Sequence, residues 1–182
     1  LLAALLEVDR VSRERRPLTP VNLVDALSAA RDQLHDTLKT TAASVRTDGP
    51  VTVWGDAALL VLLFQNLLEN AVKFTAPGCA PDIEVSHRAV AGGWQVTVRD
   101  HGIGVDPDLA GQAFELFRRL HTGEAYPGNG LGLAICRRIV EDRHGGRIWM
   151  EPAPGGGTAV HFILPERPPG AGAPDGGARP PA

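Results

Sequence analysis

The sequence predicts an α/β fold, a two-layer sandwich in which a mixed β-sheet packs against helices on one side. Two observations carry this prediction. Helical and strand patterns are interspersed along the chain instead of forming separate blocks. The chain has 182 residues, enough for one domain with its own core, and its 43% hydrophobic content is typical of a soluble globule.

Local patterns predict each element in turn. The helices indicated by apolar spacing of roughly three to four residues are 21–39, 56–74, 107–117 and one that begins near Gly132. The strands indicated by alternation or by short apolar runs are 44–46, 51–54, 82–90, 94–100, 147–151 and 158–164. From Arg167 onward Pro, Gly and Ala dominate without periodicity, so we expect a disordered tail over 167–182.

The long helix contains the segment LFQNLLENAVKFT, residues 63–75. Asn66, Asn70 and Lys73 fall within an arc of roughly 60° on such a helix, so they share one polar face. The apolar residues that project to the other side are Leu60, Phe64, Leu67, Leu68 and Ala71. Carboxamide oxygens suit Mg²⁺ that keeps its waters and phosphate ligands, and a lysine supplies positive charge for those phosphates.

A strand runs directly into the second segment, DHGIG, residues 100–104. Alternation through Trp94, Val96 and Val98 places Asp100 at the strand end. The glycines at 102 and 104 permit close approach, so a flat base could lie against this turn while Asp100 accepts its exocyclic amine.

The third segment, GNGLGLAI at 128–135, is glycine-rich and opens a helix, whose N-terminus favours anions. It is not a Walker P-loop, which needs Gly-Lys-Ser/Thr. It is not the dinucleotide fingerprint either, because Leu133 stands where that motif needs glycine.

In order and spacing these segments resemble the catalytic and ATP-binding domain of sensor histidine kinases, which belongs to the GHKL superfamily and has the Bergerat fold. The N, G1 and G2 boxes of that family resemble the three segments above, and its F box resembles FELFRRL at 114–120. GGGTAVHFILP at 155–165 resembles its closing strand pair. The stretches FRRLHTGEAYPGNGLGLAI and HGGRIWMEP are similar to kinases of the bacterial phytochrome type, for which light is the input.

The resemblance implies ATP and Mg²⁺ as cofactors. The nucleotide-binding residues that it implies are Asn66, Asn70, Lys73, Phe74, Asp100, Gly102, Ile103, Gly104, Phe117, Arg119, Gly128, Gly130, Leu131, Gly132, Leu133 and Thr158. Asn70, assisted by Asn66, would hold the metal, and Lys73 would contact phosphate. Asn70 and Lys73 are therefore the implied catalytic residues, acting by positioning and electrostatics.

The remaining implied roles concern the adenine and the lid. Asp100 would bind the adenine amine in a slot shaped by residues 102–104, Phe74 would flank the ring, and the Thr158 hydroxyl would assist. Phe117 and Arg119 would help to position the lid and the phosphates, and the glycines at 128, 130 and 132 would let the lid fold over them.

The same resemblance divides the chain into three parts. Residues 1–16 resemble the C-terminal end of the dimerisation and phosphotransfer helix, 17–166 the catalytic domain, and 167–182 the tail. The phosphate-accepting histidine would lie upstream, on a domain that also makes the full-length protein a homodimer, and a response regulator would be a further partner. Because its one methionine is Met150, we expect the chain to be a fragment.

The chain departs from the family pattern at three places. His101 replaces the usual asparagine after the G1 aspartate, and we expect it to face solvent. Asn129 replaces the more frequent threonine. The segment EDRHGG at 141–146 has one residue more than the common form, which should bulge the end of the helix away from the phosphates.

Composition excludes several classes of function. A net charge of -3 without a Lys/Arg stripe argues against nucleic acid as a partner. No apolar run is long enough to span a membrane and no signal peptide is visible, so we expect a cytoplasmic location. Cys79 and Cys136 are too few for a disulfide framework or a zinc site, and we expect both to be reduced.

Two alternative functions remain open. An ATPase of the gyrase, chaperone or mismatch-repair type keeps the fold but carries a general-base glutamate one helical turn before the Mg²⁺ asparagine. This chain has Asn66 there, and Glu69 is displaced around the helix. The other alternative is a non-catalytic signalling module, against which the intact N, G1 and G2 segments argue.

Overall fold

The computed structural model describes residues 17–115 and 130–166. Its helices are α1 (Leu23–Gln33), α2 (His35–Thr40), α3 (Ala57–Lys73), α4 (Pro107–Ala110) and α5 (Gly132–Arg137), and α5 continues as a π-helical segment, Arg138–Arg143. Its strands are β1 (Thr19–Asn22), β2 (Ser44–Thr47), β3 (Thr52–Gly55), β4 (Asp82–Val90), β5 (Gly93–Asp100), β6 (Arg147–Pro152) and β7 (Thr158–Pro165). The implied phosphotransfer-helix end at 1–16 and the tail at 167–182 lie outside the described residues.

The main sheet has five strands in the order β2-β4-β5-β7-β6. β2 and β4 pair in parallel, and every other neighbouring pair in this sheet is antiparallel. β1 and β3 form a separate antiparallel pair. The sheet is therefore mixed and the helices cover one of its faces, so the predicted two-layer α/β sandwich is confirmed.

The core lies between α3 and the covered face of the sheet. The apolar face predicted for α3 is buried as expected, with Leu60, Phe64 and Leu68 fully inaccessible to solvent. Phe64 meets Phe162 of β7 edge to face, with ring centroids 6.1 Å apart. Because α3 is fixed along this apolar face, its opposite polar edge has a defined position relative to the strand ends.

The first predicted helix, over 21–39, was wrong in two respects. Val21 pairs with Val53 in a short antiparallel ladder, so the helix begins at Leu23, capped by the Asn22 side chain, which accepts a hydrogen bond from the Val24 amide at 3.1 Å. The helix also breaks at Leu34, which keeps this apolar side chain buried. The following α2 contributes no fully buried residue.

The helix predicted over 107–117 is shorter than expected. Asp106 caps α4 by accepting a hydrogen bond from the Asp108 amide at 2.9 Å, but the helix ends at Ala110. The next residue is Gly111, whose conformational freedom disfavours helix continuation. Phe114 nevertheless packs into the core from the turn that follows.

The extra residue in 141–146 is absorbed as predicted, by a bulge at the helix end. Residues 138–143 form a π-helical turn, the form by which a helix takes up one inserted residue. Ile139 and Val140 remain fully buried, and Arg137 and Glu141 form an exposed ion pair at 2.8 Å on the opposite side. The amphipathic face predicted for this helix is therefore retained through the bulge.

Membrane spanning was tested on the described helices alone. None of them is both long enough and apolar enough to cross a bilayer.

Candidate functional site

The polar edge of α3 forms one side of the site. Asp56 starts the helix, and its carboxylate accepts hydrogen bonds from the Ala58 and Leu59 amides at 3.2 and 3.4 Å. Ten and fourteen residues later, Asn66 and Asn70 lie half-buried on the predicted polar face. The helix ends at Lys73, directly beside the turns that carry the remaining site residues.

The two asparagines meet the start of α5. Asn66 Nδ2 donates to the Leu62 carbonyl at 2.9 Å, and a β-carbon on Gly132 would lie 2.8 Å from Asn66 Oδ1 and 3.9 Å from Asn70 Nδ2. Asn70 Nδ2 is buried and has no hydrogen-bond partner within 17–115 and 130–166. A buried polar atom without a partner is costly, so this carboxamide has an unused hydrogen-bonding group that none of the described residues satisfies.

The C-terminal end of α3 holds the DHGIG turn in place. The Phe74 carbonyl accepts a hydrogen bond from the Ile103 amide at 2.9 Å. A β-carbon on Gly102 would lie only 2.3 Å from the same carbonyl oxygen, so glycine is required at this close approach. Lys73 Nζ lies 4.6 Å from the centroid of the Phe74 ring. The segment with Asn66 and Asn70 and the DHGIG turn are thus joined through Phe74.

Asp100 stands at the end of β5 with one carboxylate oxygen fixed by the backbone. Its Oδ1 accepts hydrogen bonds from the Gly102 amide at 2.9 Å and from the Thr158 amide at 3.2 Å. Among the described residues, no hydrogen bond reaches its Oδ2. The carboxylate is therefore held through one acceptor oxygen, while its other oxygen has no partner among the described residues and could accept from an exocyclic amine.

The environment of Asp100 shifts its acidity. Burial raises the pKa of its carboxyl above the ordinary value, and the hydrogen bonds from the Gly102 and Thr158 amides oppose this shift. The net direction is upward. The charged form is therefore less favoured here than in water, and a donor from a ligand would offset that cost.

The loop between β6 and β7 closes the site from the other side. A β-carbon on Gly157 would lie 1.9 Å from the Asp100 carbonyl oxygen, so the loop packs directly on the end of β5. Arg99 Nη2 donates to the Pro154 carbonyl and braces the same loop. Sequence reasoning missed Arg99, since strand alternation marks it only as facing away from the core.

Ile103 has the apolar character that a slot for a flat ring needs. Its side chain is the one large apolar side chain classed as exposed in the described part of the chain, at 39%. It lies three residues after Asp100, which accepts the hydrogen bond from the Gly102 amide, and its own amide donates to the Phe74 carbonyl. Stacking of an aromatic base would cover this surface.

The glycine-rich segment is described from Gly130 onward. Gly130 has a positive φ of 64° at the entry to α5. Leu131 is almost fully buried and Leu133 is half-buried. Phe117, Arg119 and Gly128, which the resemblance implies as further site residues, lie outside the described residues.

The structure thus brings together predicted residues from four separate segments. Asn66, Asn70 and Gly132 meet at one end of the site, and Asp100, Gly102 and Thr158 meet at the other. Thr158 reaches Asp100 through its backbone amide, whereas its hydroxyl role stays a prediction. His101 is exposed, as expected, with Nδ1 3.3 Å from the Asp82 carbonyl oxygen.

The donor set fits a magnesium ion that keeps most of its own ligands. Two neutral carboxamides converge on Gly132, and one of them has a buried atom without a partner among described residues. No cluster of three or more His, Cys, Asp or Glu side chains suited to a metal occurs in the part of the chain that the structure describes. Such a site suits Mg²⁺ that is carried largely by phosphate and water oxygens.

His144 was not predicted to have a role, although its HGG segment was noted. It is fully buried; its Nδ1 donates to the Ile139 carbonyl at 2.6 Å and its Nε2 accepts from the Asp56 amide at 3.0 Å. Burial lowers its pKa, which keeps the ring neutral and Nε2 available as an acceptor. No local sequence pattern indicates the contact between Asp56 and His144, which are 88 positions apart in the chain.

Comparisons with known proteins find related sequences and folds. The profile of the family described as histidine kinase-, DNA gyrase B-, and HSP90-like ATPase matches residues 55–168, more than half of the chain. Cyanobacterial phytochrome A of Nostoc sp. is 36% identical over 165 residues, 91% of this chain and 21% of the relative. The adaptive-response sensory kinase SasA of Synechococcus elongatus is 33% identical over 170 residues, 91% of this chain and 43% of the relative.

Solved structures give the same result. The mycobacterial sensor histidine kinase MprB superposes with a TM-score of 0.71 at 29% identity, covering 82% of this chain and 99% of that chain. The catalytic domain of the histidine kinase ThkA superposes with a TM-score of 0.70 at 26% identity, covering 83% and 97%. The chain spans only about a fifth of the length of the phytochromes that it resembles.

Proposed function

The chain belongs to the family of histidine kinase-, DNA gyrase B- and HSP90-like ATPases, and from this premise we propose that it is the ATP-binding catalytic domain of a phytochrome-like sensor histidine kinase. In this role it binds ATP and presents the γ-phosphate to a histidine on an upstream domain. The enzyme is accordingly an ATP-dependent protein-histidine kinase whose acceptor lies outside these residues.

The observation that carries the proposal is the carboxamide of Asn70. Its buried nitrogen lacks a partner among the described residues and faces Gly132, next to the Asn66 oxygen. Rotating the Asn70 carboxamide by about 180° would put its oxygen where the nitrogen now lies. Asn70 and Asn66 would hold Mg²⁺, which would offset the negative charge of the triphosphate.

The other residues bind and orient the nucleotide. Asp100 would accept the adenine amine through Oδ2, because Oδ1 is committed to two backbone amides. Ile103 and Phe74 would cover the ring, and Lys73 would approach the phosphates from the end of α3. None of these groups forms a bond to phosphorus, so their contribution is positioning and electrostatic stabilisation.

The position one turn before Asn70 favours a kinase over an ATPase of the gyrase or chaperone type. Asn66 stands there, and an amide cannot take a proton from water at neutral pH. The nearby carboxylate, Glu69, is exposed and lies off the half-buried polar edge of α3. We therefore expect the isolated chain to bind ATP with little hydrolysis, and rapid steady-state phosphate release would favour the ATPase instead.

The proposed partners follow from the same role. They are the upstream dimerisation and phosphotransfer domain, which would make the full-length protein a homodimer, and a response regulator that receives the phosphate. We also propose a cytoplasmic location and light as the input, the latter on the likeness to phytochromes over 91% of the chain.

A binding experiment tests the proposal directly. The purified chain is titrated with the non-hydrolysable analogue AMPPNP in Mg²⁺ and again in EDTA. We expect saturable binding that is tighter with Mg²⁺, and the full-length protein should incorporate labelled γ-phosphate into an acid-labile, alkali-stable linkage, as expected for phosphohistidine. Absence of saturable binding, or phosphate found only in solution, would contradict the proposal.

A further inference from the structure

The helix pair that carries the asparagines and Gly132 is in contact along its whole length. Gly132 lies against Asn66, and four residues later Cys136 Sγ lies 4.0 Å from the Leu63 carbonyl oxygen. Past the end of the pair, His144 bonds to the Asp56 amide. Later residues of the second segment therefore contact earlier residues of α3, so the two segments run antiparallel.

The contact at His144 is a buried, two-sided clamp. One ring nitrogen is bonded to the π-helical segment through the Ile139 carbonyl, and the other is bonded to the residue that caps α3. Arg143 Nη2 adds an ion pair to the Asp56 carboxylate at 3.7 Å, and both side chains are largely buried. The clamp therefore ties the end of one segment to the first residue of the other.

The fit around His144 leaves little freedom for the two segments to slide. A β-carbon on Gly55 would lie 3.2 Å from His144 Nε2 and 2.6 Å from Leu60 Cδ1. The His144 ring therefore lies directly against Gly55 of β3, and its two hydrogen bonds have fixed directions.

The distance from the clamp to the proposed metal-binding end is similar along the two segments. From Asp56 to Asn66 is about 15 Å of helix, and from His144 back to Gly132 is about 18 Å if the segment is treated as an α-helix. An axial displacement at the clamp is transmitted to the other end, because helices are stiff over such distances. It would change the spacing between Asn70 and the backbone at Gly132.

We propose that His144 is a positioning residue of the nucleotide site, which fixes the axial offset between α3 and the segment that begins at Gly132. It does so by accepting the hydrogen bond from the Asp56 amide. This inference rests on the proposed function, because its consequence is the placement of Asn66 and Asn70 against the metal-bound phosphates. The adenine end, built by Asp100, Gly102 and Thr158, is bonded to the end of α3 and makes none of these hydrogen bonds with the segment that begins at Gly132, so we expect it to keep its geometry when that segment shifts.

The test compares two substitutions at His144 by two separate measurements. His144→Leu keeps an apolar body but leaves the Asp56 amide without its acceptor, whereas His144→Gln retains one acceptor and one donor. Affinity for adenosine reports the adenine end. The ratio of AMPPNP affinities in Mg²⁺ and in EDTA reports the metal-binding end. Val85→Ala, a substitution at a buried position of β4 that belongs to neither helix of the pair, is the control for general loss of stability.

We expect His144→Leu to reduce the Mg²⁺-dependent gain in affinity by about tenfold, because small misplacements of positioning groups have effects of this size or larger. Adenosine affinity should stay within about twofold of wild type in the same variant, and Val85→Ala should leave the Mg²⁺ gain intact. His144→Gln should lose about threefold of the gain, since its more flexible chain restores the bond with poorer geometry.

Three outcomes would overturn the inference. The first is a wild-type Mg²⁺ gain in folded His144→Leu. The second is an equal loss of adenosine and Mg²⁺-dependent binding in His144→Leu and Val85→Ala, which would make the role merely structural. The third applies if His144→Leu does not fold. In that case, a wild-type ratio of AMPPNP affinities in Mg²⁺ and in EDTA for His144→Gln overturns the proposal. If the wild-type chain binds AMPPNP equally tightly in Mg²⁺ and in EDTA, the inference about His144 loses its basis, whereas the proposal of adenine binding is unaffected.

Discussion

The two ends of the site differ in how far the chain itself completes them. At the adenine end, the Asp100 carboxylate is already held by two backbone amides, and the Gly102 turn is bonded to the end of α3. At the metal end, Asn70 keeps a buried nitrogen without a partner in the described residues. The proposed adenine end thus has its hydrogen bonds in place, whereas the proposed metal end has one polar atom that no described residue satisfies.

This difference indicates a division of tasks. A preformed end gives affinity and base specificity without a large ordering cost, because its hydrogen-bond acceptors are fixed before binding. An incomplete end responds to the ion and the phosphates, which is useful where the γ-phosphate must later leave for another domain. Four predictions test this division, in order of decreasing effect.

The largest effect should come from Asp100→Asn. The substitution keeps the shape and can keep the bonds from Gly102 and Thr158 to one oxygen, but it places an amide donor where the adenine amine also donates. We expect adenosine and AMPPNP to lose affinity by about 10- to 100-fold, the scale of a hydrogen bond to a charged group. Calorimetric titration measures this loss, and Asp108→Asn on the exposed α4 is the control.

Asn70→Ala should separate the two ends. Because it removes only the carboxamide beside Gly132, AMPPNP affinity in Mg²⁺ should fall to the value in EDTA, while adenosine affinity stays within about twofold. Glu69→Ala, at the adjacent exposed position, should preserve the Mg²⁺ gain. If adenosine binding falls together with the Mg²⁺ gain, the two ends are not independent.

Asp100 should also make adenosine binding sensitive to acid. Burial raises its pKa in the folded chain, so the carboxylate protonates at a higher pH than an ordinary carboxyl, and adenosine affinity should fall as the pH is lowered through that raised pKa. The effect of pH on stability has the opposite sign to its effect on adenosine affinity. The folded state binds the proton more tightly, so the contribution of Asp100 to the free energy of unfolding decreases as the pH rises from the ordinary to the raised pKa.

Adenosine titrations across a pH series, with unfolding curves at the same pH values, measure both effects. Asp100→Asn should show neither. A wild-type adenosine affinity that is constant through the titration of Asp100, followed by the carbonyl carbon signal of its carboxyl group, would contradict the proposed role of that carboxylate.

The smallest effect should come from deletion of Asp142. This exposed residue lies in the π-helical turn, and its removal lets the segment continue as an α-helix with His144 and its partners retained. We expect the free energy of unfolding to change by no more than about 1 kcal/mol, with both ends of the site unaffected within about twofold. A lost Mg²⁺ gain in this variant would show that the bulge itself sets the metal end.

Local periodicity was sufficient for most of the fold, for the polar edge of α3 and for the strand end at Asp100, whereas Gly132 and Thr158 were predicted only from the family resemblance. The strand that ends at Asp100 and the polar edge with Asn66 and Asn70 were predicted because alternation and helical spacing are local properties. The strand β1 was not, since Val21 suits a helix start equally well and only its pairing with Val53 decides. Tertiary pairing overrode propensity there.

The supporting contacts of the site were beyond reach from sequence for the same reason. The Thr158 amide on Asp100 and the His144 ring on the Asp56 amide join residues 58 and 88 positions apart. Almost every residue type can donate through its backbone amide, and the sequence does not distinguish a buried histidine from an exposed one. The break at Leu34 likewise depends on keeping one side chain in the core.

The central claim is that Asn70 faces the metal while Asp100 and its amide partners face the adenine. The most direct test is an NMR titration with Mn²⁺ and AMPPNP, compared with adenosine alone. The account predicts paramagnetic broadening of the Asn70 and Asn66 side-chain amide signals by Mn²⁺, and shifts of the Gly102 and Thr158 backbone amides with adenosine. Sharp Asn70 signals at saturating Mn²⁺ and nucleotide would contradict it.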